Sequence, residues 1–532
     1  MPRLLLPFLF GLIPAVGRAQ DDPNKVFEAW NKLRDYGCKT VAFQAGSEVT
    51  LDKVVAAPVK PGMAFDFTSP AGSARPQMLI FPEKTSGSLG TLIGHAVKLP
   101  NLFGIDLSDT KVSGPDLAAL TKCPNLLVLY LDGTAVGDDG LKHVAGLTKL
   151  RWLDLTDTRV TDAGLAQLAG LKDLQVLRAG RAGVASDKEK PPRIGDDGLS
   201  SLARLSNLRE LDLSGSAVTL ATARGLGGLK SLRRLTLDRA AVNDAGLRTL
   251  ADLPALERLS VVDTYLTGSG FKELAGMPKL SDIDLTDARV TDAGAAGIGA
   301  LKQVRKLILA NSGPATDKAK VQLTDLGLAT LGGCDRLAVL DVSRTRIDGS
   351  GLIGLNRCPG LVDLRLDGTP IQDRNLVGLR GVKALQALHL AHTKITGEGL
   401  FFLSEQKDLM LLNLEGSDIT DAGLQQIVLA PDLTDLNVCG TLITFAKVPD
   451  LKDLRYLTRI DLRGARVNDA VWRQLAQLRT LQLVVVSAGS LTSGPIPVFQ
   501  KAVPDCRVIV RPFKEPAAPV SKVKEPRVPV FE

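Results

Sequence analysis

The side chains able to do chemistry in this 532-residue chain are carboxylates set at regular intervals, four histidines, six cysteines and a sparse set of aromatics. Asp263, Asp282, Asp284 and Asp287 offer the oxygen donors that a hard divalent cation takes. Their spacing is that of a ladder across successive segments, not of one loop wrapped around an ion. His389 and His392, flanked by Asp367 and Glu415, are the one mixed set with metal-ligand character, but the two rings fall at different places in their segment and need not converge. Tyr130, Asp132, Trp152, Asp154 and Asp157 put two aromatics among carboxylates, the composition of a protein-contact hot spot. Arg178, Glu210, Arg234 and Arg258 continue the same rows. There is no G-x-S-x-G elbow, no phosphate loop of the G-x-x-x-x-G-K-[ST] kind, no H-E-x-x-H and no C-x-x-C pair. An acid pair picked from so regular a ladder is poor evidence for glycoside hydrolysis. The chain reads as no enzyme, with no metal and no cofactor.

What positions these residues is a pattern of six aliphatic side chains with a period of 24 residues. One copy reads Leu150, Leu153, Leu155, Val160, Leu165 and Leu168, and the same offsets give Leu409, Leu412, Leu414, Ile419, Leu424 and Ile427. The first leucine falls at 102, 126, 150 and 174, then from 208 to 304, where it is a valine, then from 337 to 481, making sixteen starts. Only two steps differ from 24, at 34 and 33 residues, so they are insertions of 10 and 9. A period of this length belongs to solenoids. Alternation in L-x-x-L-x-L predicts a short strand with one buried face. In Thr161-Asp162-Ala163-Gly164-Leu165-Ala166-Gln167-Leu168, the polar start caps a helix whose leucines share one face. Each unit must stack on the next to bury its leucines, which builds a continuous parallel sheet.

Residues 1–19 carry Arg3 before an apolar run and small residues Gly17 and Ala19, the layout of a signal peptide. That run is too short to span a bilayer. Residues 20–98 match the repeat only in part, through Met78, Phe81, Ile93 and Ala96, and read as an N-terminal cap. The solenoid covers 99–510, ending in a strand within Pro504–Val510, and residues 511–532 form a Pro-rich tail expected to be disordered. A net charge of +7 on so large a surface implies no nucleic-acid binding. Cys123, Cys334 and Cys358 all sit three residues before a unit start, where buried thiols fill a core slot. Cys334 and Cys358 hold this slot in adjacent units, so a disulfide between them stays open.

The insertions, near 181–193 and 312–323, contain the matching segments Ala185–Lys190 and Ala315–Lys320, 130 residues apart. They imply an ancestral duplication of a five-unit block. Lys188, Lys190, Lys318 and Lys320 would then form two similar basic edge loops, either gripping an acidic partner or simply tolerated.

The unit L-x-x-L-x-L-x-x-T-x-[VI]-[TS]-D-x-G-L, as in Leu150–Leu165, resembles the leucine-rich repeat family in its ribonuclease-inhibitor-like form, especially its exported bacterial members. The resemblance implies an α/β fold: a right-handed horseshoe solenoid with its parallel sheet concave and its helices convex. This chain departs from the best-known form by having Thr110, Thr134, Thr158, Ser216, Thr264, Thr345 and Thr369 where that form has asparagine. A hydroxyl there bonds loop backbone less fully than an amide ladder would. The units are also similar to those of F-box substrate adaptors, which would imply ubiquitin-ligase targeting, but no F-box helices are evident. The expectation is a noncatalytic, exported, secreted or cell-surface scaffold that binds a protein or cell-envelope component through concave side chains. A structural spacer and an unrecognised enzyme are the alternatives.

Overall fold

The computed structural model describes residues 39–42, 77–81, 88–99, 102–181, 194–311, 323–430, 432–445, 451–465, 467–487 and 495–513. The expected signal peptide, most of the cap, the tail beyond residue 513, and Lys188, Lys190, Lys318 and Lys320 lie outside the described residues. The chain divides into two units, Met1–Ala288 and Arg289–Glu532.

In the first unit, each repeat contributes a strand mostly three residues long, such as Val128–Tyr130, Trp152–Asp154 and Val176–Arg178. Each pairs parallel with the next in a constant register, so that Tyr130, Asp154 and Arg178 stand in one row. Ahead of them, Gln77–Ile80 pairs parallel with Leu102–Asp106 and antiparallel with Lys39–Ala42. In the second unit the same register links Asp341, Arg365, His389, Asn413, Asn437 and Asp461. A strand at Arg507–Arg511 pairs with Leu483–Ser487, and a helix at Pro495–Ala502 sets Phe499 against Trp472, with ring centroids 5.1 Å apart. Aliphatic side chains fill the space between sheet and helices, with Leu129, Leu153, Leu177, Leu211 and Leu235 at or near zero exposure. This is the α/β leucine-rich-repeat solenoid that the period demands.

The helical side of each unit is less uniform than the sequence pattern predicts. Units with an extended Thr161, Thr291 or Thr324 form α-helices at Asp162–Gln167, Asp292–Ile298 and Asp325–Thr330, each capped by the threonine hydroxyl. Units that read T-G-S-G, D-G-S-G or T-G-E-G form 3-10 helices instead, at Ser269–Leu274, Ser350–Arg357 and Glu398–Glu405. There the glycine replacing the first-turn aspartate lies at φ 92, 99 and 98. A left-handed residue at that point delays the helix start, and the tighter 3-10 rise spans the remaining length in fewer residues.

No disulfide joins Cys334 and Cys358. Both are free and buried, and the Cys358 thiol donates to the Cys334 carbonyl at 3.4 Å. Burial pushes the two thiols up to about 12 and about 11, which keeps them protonated. They are core fillers, as Cys123 also is.

Candidate functional site

Three polar positions recur in most units, and the backbone accounts for each before any ligand is considered. The first is the threonine that replaces asparagine. Thr110, Thr134, Thr158, Thr264 and Thr345 are buried and donate their hydroxyls to the carbonyl three residues earlier, at 2.6 to 2.7 Å. Each bond stays within its own unit, so the loop is fixed without an amide ladder.

The second is the residue two places past the strand leucines, where Asp109, Asp157, Asp263 and Asp287 all have φ between 53 and 58. Aspartate tolerates this left-handed turn, and glycine takes the slot at Gly133, Gly215 and Gly368. Asp157, Asp263 and Asp287 are therefore turn residues first. No cluster of three or more metal-capable side chains occurs among the described residues.

The third is the aspartate of the [TS]-D-x-G motif, whose role the sequence did not disclose. Asp138 accepts from the backbone N–H and the hydroxyl of Thr161 in the next unit, at 2.8 and 2.6 Å. Asp196 takes five bonds from Thr219, Leu220 and Thr222, and Asp244 takes four from Thr267, Gly268 and Gly270. Burial resists the charge on Asp196, but the donors of Thr222 and Thr219 outweigh it and hold the carboxyl below its ordinary pKa. The motif glycine follows from the same contact: a Cβ on Gly164 would stand 2.2 Å from Asp138 Oδ1. The 24-residue spacing of D-x-G was the available signal, since a polar motif locked to the apolar period has to touch the neighbouring unit.

What remains is the outward row of the first unit, where the structure joins most of the expected contact residues into one array. Tyr130 and Trp152 lie with ring centroids 5.9 Å apart, and the Arg178 guanidinium stands 4.9 Å over the Trp152 ring. Arg178 donates to Glu210 Oε1 at 2.9 Å, and Arg234 pairs with Glu210 Oε2 at 3.2 Å. Burial opposes the Arg178 charge, yet Glu210 together with Asp154 and Asp212 holds its pKa above the ordinary value. Arg258 stands apart, paired with Asp282 at 2.7 Å. Asp132 accepts from the Ser108 hydroxyl at 2.5 Å.

Burial sets this array apart from an open contact surface. The repeat puts Tyr130 and Trp152 in outward slots, but they are 6% and 1% exposed, and the Trp152 indole N–H is buried without an acceptor. The neighbouring outward slots, Val128 and Val176, are buried as well. Three apolar residues in successive outward slots were the sequence signal that this part of the face is covered. Asp154, also in an outward slot, is 7% exposed. Burial raises its pKa to about 6, and the Asp132 charge adds to this against a Thr156 N–H and the Arg178 charge. In the row of Val128, Trp152, Val176 and Glu210, exposure returns from Arg234 onward, through Arg258 and Asp282.

In the second unit, His389 Nε2 lies 3.7 Å from Asp363, which also pairs with Arg365 at 2.9 Å. His392 is a left-handed turn residue at φ 56, and its ring covers Gly416. The two histidines thus serve different places and do not share a site.

The Leucine Rich repeat family profile matches residues 146–169 and 384–404. Among solved structures, a leucine-rich repeat protein of Leptospira interrogans is similar at 19% identity with a TM-score of 0.54, over 75% of this chain and 99% of that one. The functional domain of InlJ from Listeria monocytogenes is similar at 16% identity and a TM-score of 0.44, over 75% and 72%. The plant peptide hormone receptor RGFR1 in complex with RGF2 gives 17% and 0.43, over 74% and 65%. A search of curated proteins returned no match. Identities this low speak for the fold alone. Two of the repeats thus match the Leucine Rich repeat profile, and the chain folds as a leucine-rich-repeat α/β solenoid.

Proposed function

We propose that the chain is a noncatalytic, exported protein-binding scaffold of the ribonuclease-inhibitor-like repeat type, contacting its partner through the outward sheet row of the first unit. The observation that carries this reading is the constant parallel register, which holds unlike side chains from Glu210 to Asp282 in one row at strand spacing, roughly 4.8 Å per unit. A surface made this way changes its chemistry without changing its fold. The exposed stretch around Arg234 and Arg258 is the contact, and the buried Tyr130–Trp152–Arg178 stack is its rigid support. The basic loops at Lys188, Lys190, Lys318 and Lys320 are a second contact on the same scaffold.

A spacer role is the second reading, favoured by one observation: Arg178, Arg234 and Arg258 all find carboxylate partners within the chain. Photoreactive residues at Arg258, at Lys318 and, as a helix-side control, at Lys142 separate the two in the native cell envelope. The scaffold reading expects a discrete protein adduct from Arg258 or Lys318 and none from Lys142. Equal, diffuse labelling from all three positions rejects it and leaves the spacer.

A further inference from the structure

The strand-row arginines of the first unit fall into two classes. Those on the outward row are neutralised, as described above. One residue earlier in each strand runs a second row, at the edge where the strands begin: Leu127, Arg151, Gln175, Arg209, Arg233 and Glu257. It is continuous, because each N–H donates to the carbonyl of the row member one strand before it, from Arg151 to Leu127 through Glu257 to Arg233, at 2.7 to 2.9 Å. Here the charges are not matched. Arg233 has a partner in Glu257 at 3.4 Å, but Arg151 and Arg209 have no ion pair among the described residues. The Arg151 Nε–H is buried with no acceptor at all. Burial, followed by the nearby charges of Arg233 and Arg151, lowers the pKa of Arg209, so these cations repel one another. Lys149 and Lys172 extend the positive edge and are held only by an amide and a carbonyl oxygen, Asn125 Oδ1 at 2.7 Å and the Arg204 carbonyl at 3.1 Å. The buried Nε–H is out of a ligand's reach, but an oxyanion on the terminal nitrogens of the same half-buried guanidinium supplies the counter-charge it lacks.

We propose that this edge is a docking site for a short acidic polypeptide segment, whose carboxylates are taken by Arg151 and Arg209 with the Gln175 amide between them. The two arginines are two strands apart, roughly 10 Å, which matches side chains three residues apart in a polyproline-II peptide, whose three residues per turn at about 3.1 Å each return every third side chain to one face. The fitting sequence is therefore Glu-x-x-Glu or its aspartate equivalent. A uniform polyanion fits less well. The positive run ends at Glu257 in the row itself, so a nucleic acid or sulfated glycan longer than the run meets like charge there. This inference rests on the reading of the chain as a protein-binding scaffold, but it moves charge recognition from the sheet face to the strand edge.

The test is fluorescence anisotropy at low salt on the full chain, with a labelled Glu-x-x-Glu octapeptide as probe. A Gln-x-x-Gln octapeptide and a thymidine oligonucleotide of similar length are the comparisons. Binding of the glutamate peptide should weaken at least tenfold with the glutamine peptide and at least tenfold in the Arg151→Gln/Arg209→Gln variant. It should be unchanged in Lys142→Gln, on the helix side. Arg209→Gln alone, a half-exposed position, gives a second readout with a partial loss should the double variant fail to fold. No binding by the glutamate peptide, equal binding by the double variant, or tighter oligonucleotide binding lost in the same variant each overturns the proposal. The crosslinking arm at Arg258 does not use this edge, so a failure here leaves the scaffold reading to be judged separately.

Discussion

Asp154 shows how a side chain can sit in an outward slot and still behave as a core residue. Its folded-state pKa of about 6 lies above the ordinary 3.8, so folding favours the protonated acid. The stabilisation this provides is full below about pH 3.8 and is lost as pH rises through about 6, and above that the buried charge is a net cost of roughly 3 kcal/mol. Asp154→Asn keeps an acceptor for the Thr156 N–H at 3.0 Å and removes the charge. The variant should therefore gain about 2–3 kcal/mol at pH 8 and nothing near pH 4. Urea titrations at the two pH values check this, and a variant equally or less stable at pH 8 would refute the burial argument. The slot was legible from the period, but its environment was not. That depended on Val128, Trp152 and Val176 being covered together.

At the scale of the element, the D-x-G motif is a fastener between units as much as a helix start. Asp196 is the best-bonded example, and its lowered pKa means its stabilisation is present above the ordinary carboxylate range and lost as pH falls through the lowered value. Asp196→Ala should cost about 2–4 kcal/mol at neutral pH, since several charge-assisted bonds go at once. The exposed neighbour Asp197→Ala should cost less than about 0.5 kcal/mol. Thermal melts at pH 7 decide between them; equal losses would mean that the carboxylate merely caps its own helix. The strand and the apolar face of each unit were readable from leucine spacing alone. The choice between α and 3-10 helix was partly readable too, from whether aspartate or glycine begins the turn at positions such as Asp162 and Gly268.

For the molecule as a whole, stacking makes stability a nearest-neighbour property, so the ends of each array matter more than their share of residues. In the second unit Phe499 closes the core against Trp472. Phe499→Ala should cost about 3–5 kcal/mol. The loss should appear first as faster amide exchange in Leu483–Ser487, with little change at Val339–Asp341 in the same unit. Uniform loss of protection across both strands would instead indicate all-or-none unfolding of that unit. Where outward-slot residues are buried, as Tyr130, Trp152 and Asp154 are, the cause lies at this scale. A face named from one strand's alternation says which side a residue takes, and not what else the chain lays against it.

Period, alternation and turn chemistry are local, so this sequence alone determined the repeat length, the strand register, the buried leucines and the positions of the two insertions. Those features follow from spacing along a chain whose every unit meets the same neighbour in the same way. Only the tertiary structure decided which charges are already matched. It pairs Arg178 and Arg234 through Glu210, buries Trp152 and Asp154, and leaves Arg151 and Arg209 without a carboxylate among the described residues. Such pairings depend on distances of a few ångströms between side chains 24 or 32 positions apart, which the shared period permits equally for partners and for non-partners.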